Sequence, residues 1–280
     1  MKQVTIMSGK GGTGKTTFSS IVHSVEGDVI ADCDVDAPNL HMILEKEIIS
    51  VEAFISGEKA EIGENCTGCG LCYKLCRFSA IGVWENNKFK VNHRKCEGCA
   101  FCYYVCPSRA ITMKKIKTGN IFVSRTDYGK IVYARLIPGE ENSGKLAAEV
   151  RERAKKIAND FVVIDAPPGI GCPVMASLAG VDAAIIVTEP TLSGFGDMVR
   201  AVELTKNFRI KSFVVINKYN LNENLSAEIR QWCRENDVMF AGTIPYDEEI
   251  PKQMSILKFP FKGKAAEKIR EIWIDIKSLL

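Results

Sequence analysis

Residues 8–17 read SGKGGTGKTT and follow the stretch KQVTIM at residues 2–7. Alternation of apolar and polar residues in 2–7 predicts a buried strand, and the spacing of Phe18, Ile21 and Val25 predicts a helix after the glycine-rich segment. A G-x4-G-K-T segment between strand and helix is typical of a phosphate-binding loop. Glycines let backbone N–H groups curl around phosphate, and the helix N-terminus adds positive potential. The sequence therefore predicts a nucleotide site here.

Each residue of this phosphate loop has an expected role. Lys15 should reach the β- and γ-phosphates, and the Thr16 hydroxyl should bind Mg²⁺. The residues predicted to surround the phosphates are Gly9, Lys10, Gly11, Gly12, Thr13, Gly14, Lys15, Thr16 and Thr17.

Composition limits the classes of protein to which the chain can belong. The chain has 280 residues, a formal charge of +3 and 46% hydrophobic residues, which fits a globular protein of roughly two domains. It opens without an apolar signal segment and has no long apolar run, so we expect a cytoplasmic protein without stable membrane association. No basic stripe interleaved with aromatic residues indicates nucleic-acid binding. In a reducing compartment, its 11 cysteines favour metal binding over disulfides.

Charge and cysteine are concentrated in one segment. Residues 60–117 hold ten Lys or Arg and four Asp or Glu, a formal +6, whereas the rest of the chain is at −3. Eight cysteines lie between Cys66 and Cys106. We therefore predict a discontinuous host domain, 1–58 and 118–280, and an inserted domain, 59–117.

The inserted segment repeats itself. Residues 65–83 read NCTGCGLCYKLCRFSAIGV and residues 95–113 read KCEGCAFCYYVCPSRAITM, so that four cysteines coincide at an offset of 30 residues. Each half is too small to bury a core alone, which predicts two stacked halves around a shared core.

The doubled C-x2-C-x2-C-x3-C spacing resembles that of bacterial ferredoxins with two [4Fe–4S] clusters. In such proteins the fourth cysteine of each run ligates the other cluster. The resemblance implies one cluster on Cys66, Cys69, Cys72 and Cys106, and a second on Cys96, Cys99, Cys102 and Cys76. Arg77 departs from the pattern, since the second half has Pro107 there. Structural zinc is the alternative, because zinc also favours four thiolates.

Lys10 adds a second lysine to the phosphate loop. The form G-K-G-G-T-G-K-T resembles the deviant loop of the MinD/ParA superfamily of ATPases, which includes the nitrogenase iron protein and the Mrp-type cluster carriers. The resemblance implies that Lys10 reaches the nucleotide of a facing subunit. It therefore implies a homodimer, or a heterodimer with a similar subunit, and slow, partner-regulated hydrolysis of ATP to ADP.

The same resemblance assigns the acidic residues. Asp34 is expected to orient the attacking water or to lie in the outer shell of Mg²⁺, with Asp36 the less favoured choice. Asp165 ends the apolar run FVVID and is expected to hold Mg²⁺ through water. Residues 166–169, APPG, resemble switch II. The catalytic residues implied are Lys10, Lys15 and Asp34.

Two later segments are expected to complete the nucleotide site. The resemblance places Asn217 against adenine, and Pro245 and Asp247 in the loop over base and ribose. A guanine-selective N-K-x-D pattern is broken, because Asn220 stands where Asp would be. Adenine is therefore the expected base.

The predicted fold class is α/β, a doubly wound, mostly parallel P-loop NTPase sheet with an inserted small α+β ferredoxin-like domain. A hairpin is expected around Asp127 and Tyr128. The apolar face of residues 265–280 is expected to pack on the sheet. The predicted strands are 2–7, 28–33, 161–165, 183–188, 213–217 and 240–244.

Two functions remain open. The first is an ATP-gated redox protein that passes electrons to a partner, and the alternative is an iron–sulfur or metal-cofactor assembly ATPase that carries clusters to partners. Cys172 follows the switch II segment and bears on the carrier hypothesis, although a small buried residue entering a helix is the simpler interpretation. Cys33 and Cys233 are expected in the core.

Overall fold

A computed structural model of the chain describes residues 1–44, 46–259 and 262–280, and all but the Asn87 side chain within them. Its strands are β1 Lys2–Met7, β2 Val29–Asp32, β3 Lys46–Ile62, β4 Ile81–Val83, β5 Phe89–Val91, β6 Ile111–Thr126, β7 Gly129–Leu136, β8 Phe161–Asp165, β9 Ala183–Thr188, β10 Lys211–Asn217 and β11 Met239–Ile244. Its α-helices are α1 Lys15–Glu26, α2 Leu40–Ile43, α3 Leu71–Leu75, α4 Phe101–Val105, α5 Ser143–Ile157, α6 Cys172–Leu178, α7 Leu192–Asn207, α8 Glu223–Glu235, α9 Glu249–Ser255 and α10 Lys264–Ser278.

Within those residues the main sheet has nine strands, in the order β11-β10-β9-β1-β8-β2-β7-β6-β3. The pairs from β11 to β7 are parallel. Chain order and sheet order differ on both sides of β1, so strand order reverses there, and ligands bind at such switch points beside the carboxyl ends of the strands. The α/β class with a mostly parallel sheet is confirmed.

The chain divides into two compact units. Unit 1 comprises Met1–Glu52, Ile121–Arg135 and Ser143–Leu280, and unit 2 comprises Ala53–Asn120 and Leu136–Asn142. The predicted domain boundaries after residues 58 and 117 fall inside β3 and β6, so two strands extend beyond the limits set by composition. Among the described residues, no helix is both long enough and apolar enough to span a bilayer.

Helix α10 closes the core of unit 1. Its residues Ile269, Ile272, Trp273 and Ile276 are buried, and Trp273 is 0% exposed. The indole Nε1 of Trp273 donates to Glu26 Oε1 at 2.7 Å. This ties the helix to α1 and leaves its apolar face inside the protein, as the sequence predicts.

Unit 2 repeats its backbone conformation at the offset of its sequence. Left-handed φ values occur in three pairs 30 residues apart: Gly68 and Gly98, Gly70 and Ala100, Ser79 and Arg109. Helices α3 and α4 start at matching positions, and β4 pairs antiparallel with β5. A small core of Ala60, Cys72, Ile81, Val91 and Ile111 joins the two halves.

Candidate functional site

The phosphate loop connects β1 to α1 at the carboxyl end of β1. Gly12 and Gly14 have φ of +80° and +92°, the left-handed region that glycine adopts without a steric penalty. The Thr13 side chain is buried, and no hydrogen-bond partner for its Oγ1 lies among the described residues. A buried, unpaired hydroxyl in a loop of backbone N–H groups fits an oxygen-rich ligand such as phosphate.

Asp165 is the centre of the hydrogen-bond network under the loop. Its Oδ1 lies 2.7 Å from Lys15 Nζ and accepts from Ser19 Oγ at 2.6 Å, and its Oδ2 accepts from Thr16 Oγ1 at 3.0 Å. Asp165 is 1% exposed and Lys15 is 7% exposed. Three donors thus fix the carboxylate beside the hydroxyl predicted to bind Mg²⁺. Sequence reasoning missed Ser19, although it lies three residues after Thr16 and so on the same face of α1.

Asp32 is a second buried carboxylate that sequence reasoning did not single out. It pairs in register with Asp165 across β2 and β8 and is 0% exposed. Burial, reinforced by the charge of Asp165, raises the pKa of Asp32 to about 8. Its oxygens accept from the backbone N–H of Asp34 at 3.2 Å and of Leu40 at 3.3 Å. Asp32 therefore positions the loop that carries Asp34.

Asp34 lies at the edge of this network. Its Oδ1 accepts from the Ala37 backbone N–H at 3.3 Å. Burial raises the pKa of Asp34 above its usual range. The turn through residues 34–37 thus holds one carboxylate oxygen, and the other has no hydrogen bond of its own among the described residues. Asp36 makes no such contact there.

Lys10 is held within its own chain. Its Nζ lies 2.7 Å from Glu189 Oε1 and donates to Thr191 Oγ1 and Ser193 Oγ, both at 3.0 Å. Glu189 also pairs with Lys218 at 3.1 Å. Burial alone would raise the pKa of Glu189, but hydrogen bonds from both lysines lower it overall.

Lys218 connects this ion-pair cluster back to the phosphate loop by donating to the Gly12 carbonyl at 3.0 Å. Glu189 was missed from the sequence, because a glutamate between a strand and a proline carries no motif.

A cavity of about 210 Å³ borders the loop at Gly12, Gly14 and Thr17. Asn217, Pro245 and Asp247, the residues predicted to surround base and ribose, all line it. Asn217 Nδ2 donates to the Thr13 carbonyl at 2.8 Å.

The far side of this cavity is set by Asp247 and apolar residues. The Asp247 carboxylate accepts from the backbone N–H of Glu249 at 3.0 Å and of Ala265 at 3.1 Å, which fixes the loop. Ile250 and Met254 supply apolar walls suited to a planar base.

The switch II segment also touches the phosphate loop. The Gly169 backbone N–H donates to the Ser8 carbonyl at 3.0 Å. This bond links the two segments directly.

The eight cysteines of unit 2 surround two cavities. One, of about 380 Å³, is lined by five of them, Cys72, Cys76, Cys96, Cys99 and Cys102. A much narrower one is lined by Cys66, Cys69, Cys72 and Cys106. Across the described residues, no three His, Cys, Asp or Glu side chains converge closely enough to hold one metal ion.

The fourth cysteine of each run has the same local geometry. Cys76 Sγ accepts from the Ala80 backbone N–H at 3.4 Å, and Cys106 Sγ accepts from the Ala110 N–H at 3.3 Å. At Cys106 burial alone would raise the pKa of the thiol, but hydrogen bonds from Ser108 and from the Ala110 N–H lower it overall.

The three remaining cysteines differ in exposure. Cys33 and Cys233 are fully buried, and burial raises their pKa to about 12 and about 11. Both are core residues, as predicted. Cys172 is exposed at the start of α6, so its interpretation as a small buried residue is wrong. Cys172 lies on the solvent side of the first turn of this helix, whereas Val174 in the same turn is buried.

Comparisons with known proteins agree with this geometry. Residues 4–258 match the model of the CobQ/CobB/MinD/ParA nucleotide binding domain. The uncharacterized protein MJ0578 of Methanocaldococcus jannaschii is 32% identical over 99% of this chain and 97% of its own length.

Two solved structures share the fold. The Pyrococcus horikoshii septum site-determining protein MinD, complexed with Mg-ADP, has a TM-score of 0.60 at 17% identity and covers 99% of this chain and 96% of its own. The Pyrococcus furiosus cell division ATPase MinD has a TM-score of 0.57 at 18% identity, with 100% and 99% covered. The chain therefore belongs to the CobQ/CobB/MinD/ParA family of nucleotide-binding domains.

Proposed function

We propose that this protein is a dimeric cytoplasmic ATPase whose nucleotide state controls electron transfer from two [4Fe–4S] clusters to a partner protein. The observation that carries the redox part is the grouping of cysteines. The narrower cavity of unit 2 is lined by one of the two sets of four thiols that the ferredoxin resemblance implies, and the larger cavity is lined by the other set together with Cys72. Each set combines three neighbouring cysteines with the fourth cysteine of the other half.

The larger thiol cavity, of about 380 Å³, has room for a group of several atoms, whereas the narrower one, of about 10 Å³, would have to widen to hold one. A single zinc ion needs four sulfurs within about 2.3 Å of one point, whereas these cysteines line cavities instead of converging on a point. The apolar residues Ile81, Val91 and Ile111 form a small core with Cys72, and four further thiols pack against it, those of Cys76, Cys96, Cys102 and Cys106. When bound, the clusters would supply one-electron transfer. The protein itself would provide the eight thiolate ligands, and its backbone N–H donors would set the polarity around them.

The ATPase part follows from the phosphate loop. Asp165 contacts both Lys15 Nζ and the Thr16 hydroxyl, and so holds them at the loop where the phosphates and Mg²⁺ would bind. Hydrolysis of this kind needs positioning and charge stabilisation and no covalent intermediate. Asp34, held by Asp32 and Ala37, is the residue we assign to orient the attacking water. Lys10 would supply the positive charge across the dimer.

Anaerobic purification followed by iron, sulfide and zinc analysis tests the cluster assignment. We expect about eight iron atoms per chain and negligible zinc. About two zinc ions per chain, one for every four thiols, and no iron would reject the redox proposal. EPR-monitored redox titration with and without MgATP tests the coupling, and we expect nucleotide to shift either the cluster potentials or the rate of electron transfer to an external acceptor.

An exposed Cys172 keeps the cluster-carrier alternative open. A thiol on the surface near the switch II segment can act as a ligand between two subunits, which a buried thiol cannot. A carrier should lose cluster transfer to an apo-protein when Cys172 is replaced by Ser. The electron-transfer proposal expects the C172S variant to retain nucleotide-dependent reduction of an acceptor, so this variant separates the two functions.

A further inference from the structure

Unit 2 exposes many large apolar side chains along a short part of the chain. Nine of them, between residues 71 and 104, are each more than 40% exposed. Six belong to α3 and α4, two short helices that contact each other. Apolar surface concentrated in this way is typical of a surface that a partner covers. The nine are Leu71, Tyr73, Leu75, Phe78, Val83, Trp84, Phe101, Tyr103 and Tyr104.

Three of these side chains line the larger thiol cavity. Leu75, Phe78 and Phe101 border it together with the exposed Cys99. Because a side chain that lines a cavity and is also exposed lies where the cavity meets solvent, these residues surround its opening. Together with Arg77, which is also exposed and lines the cavity, they form what we call the cavity rim.

The narrower thiol cavity has no equivalent rim. Among the residues that correspond to the cavity rim at the offset of 30, Val105 and Ser108 are half-buried, and Pro107 carries no charge. Leu71 is the one counterpart that is large, apolar and well exposed. The two thiol sites thus differ at the surface although their backbone is repeated, and the larger one is better suited to dock a partner.

The charged side chains of unit 2 indicate the chemistry of that partner. All ten Lys and Arg residues of segment 60–117 are exposed. Lys114 pairs with Glu61, and the other nine make no ion pair with a carboxylate that the structure describes. Three carboxylates of the segment are likewise unpaired there, so nine against three leaves six positive charges. Two oxidised clusters, each at about −2 with its four thiolates, would still leave about +2.

The same imbalance holds around the larger thiol cavity. We compared the charged residues that line it or adjoin a lining residue in sequence and that make no ion pair with a described residue. The cations are Lys74, Arg77, Lys90 and Lys95, against the single carboxylate of Glu97. A surplus of cations attracts an acidic surface and repels a basic one.

We infer that the redox partner docks at the cavity rim, and that its contact surface is apolar at the centre and acidic around it. Docking would cover the exposed apolar side chains and pair the free cations with carboxylates. One electron would pass from a cluster held at the larger cavity, which is oxidised, to the partner's cofactor, which is reduced, and no bond would form or break. The inference rests on the proposed function and adds to it the docking site and the chemical class of the partner.

Equilibrium binding of two redox proteins of opposite charge tests the partner class. The probes are a flavodoxin, which is acidic, and a cytochrome c, which is basic, each titrated against the full-length protein purified without oxygen. We expect flavodoxin to bind at least about tenfold more tightly at about 20 mM salt, and to lose most of this advantage at about 300 mM through screening. Equal binding of the two proteins, or binding of neither, would overturn the inference. So would tighter binding of a single-stranded oligonucleotide than of flavodoxin, because the surface would then serve nucleic acid.

Matched variants locate the docking site. Arg77→Glu changes the cavity rim, whereas Lys117→Glu changes an exposed cation that lines neither thiol cavity. We expect R77E to weaken flavodoxin binding at least about fivefold and K117E less than about twofold. Phe78→Ser at the rim and Tyr104→Ser, an exposed aromatic residue that lines neither cavity, should differ in the same way. Equal effects within either pair would reject the cavity rim as the docking site.

Iron content and melting temperature, measured beside affinity, separate this inference from the proposed function. Wild-type protein without iron would reject the redox function, whatever the protein binds. Wild-type protein with about eight iron atoms per chain and no preference for flavodoxin would reject the docking inference alone. Because the four substituted side chains are exposed and are not thiol ligands, we expect every variant to keep the iron content and melting temperature of the wild type.

Discussion

The ammonium of Lys10 lies 2.7 Å from the Glu189 carboxylate of the same chain. If Lys10 reaches a facing subunit, as proposed above, it cannot keep this contact, and the ion pair would then compete with dimer formation. Both partners are partly exposed, at 27% and 17%, and an exposed pair contributes about 1 kcal/mol or less. The competition is therefore a modest bias on the dimer equilibrium.

Replacing Glu189 by Gln should release Lys10 and strengthen nucleotide-dependent dimerisation up to about fivefold, the equivalent of about 1 kcal/mol. Sedimentation velocity with a non-hydrolysable ATP analogue measures this. Glu203→Gln, an exposed position on α7, is the matched control and should behave as the wild type. Weaker dimerisation of E189Q than of E203Q would show that Glu189 supports the site instead of restraining Lys10.

Replacing Lys10 by Ala should slow ATP hydrolysis at least about tenfold, because a positive charge supplied in trans stabilises the transition state. ATP binding should be largely retained, since Lys10 contacts Glu189, Thr191 and Ser193 rather than Asp165. Lys15→Ala is the contrasting variant and should lose binding. Equilibrium binding of a fluorescent ATP analogue and phosphate release give both values. Unchanged turnover of K10A would contradict the two-subunit site.

Replacing Cys106 by Ser should lower the iron content from about eight to about four per chain. Cys106, the last cysteine of the second run, lines the narrower cavity. Cys76, the last cysteine of the first run, lines the larger one. Cys233→Ser, at a fully buried core thiol, is the control and should keep full iron. Iron content and EPR lineshape distinguish the outcomes, and equal iron in both variants would exclude Cys106 as a ligand.

His23 should make the protein less stable in mild acid. Its side chain is buried, and burial lowers its pKa from 6.5 to about 4. The unfolded chain therefore takes up a proton between pH 6.5 and 4 that the folded chain does not, and stability falls as pH falls through that range. The full shift corresponds to about 3 kcal/mol.

Urea unfolding at pH 7 and pH 4.5 measures the effect. His23→Leu should lose part of the pH dependence, whereas His93→Gln, at an exposed position, should retain it. An identical pH dependence of H23L and the wild type would contradict the assignment.

The strands that carry the site could be predicted closely from sequence. β1, β8 and β9 have the predicted bounds and are buried along nearly their whole length. β8 and β9 are mostly apolar runs, whereas β1 was predicted from its alternation of apolar and polar residues. Strand β3 was missed. Its apolar residues Ile48, Ile49, Val51 and Ile55 are exposed at the edge of the sheet, so their spacing follows no buried face.

The site residues also fall into two groups, those that local sequence predicts and those that it does not. Lys15, Thr16 and the cysteines have fixed spacings in the chain. In the structure Lys15 and Thr16 both contact Asp165, and the cysteines line two cavities. Asp32, Ser19 and Glu189 depend on strand neighbours more than 100 residues away or on contacts with Lys10, as in the register of Asp32 with Asp165. No local pattern encodes such pairs.

Because the left-handed positions of unit 2 occur in matched pairs, the two halves can be compared directly with each other. Gly70 and Ala100 hold the same conformation, as do Ser79 and Arg109, so the backbone around the two thiol sets is duplicated while the side chains are not. A difference in behaviour between the two sites can then be sought at the positions where the halves differ, among them Arg77 opposite Pro107. Exchanging Arg77 and Pro107 would test, within one molecule, how much this pair contributes to a difference between the two thiol sites.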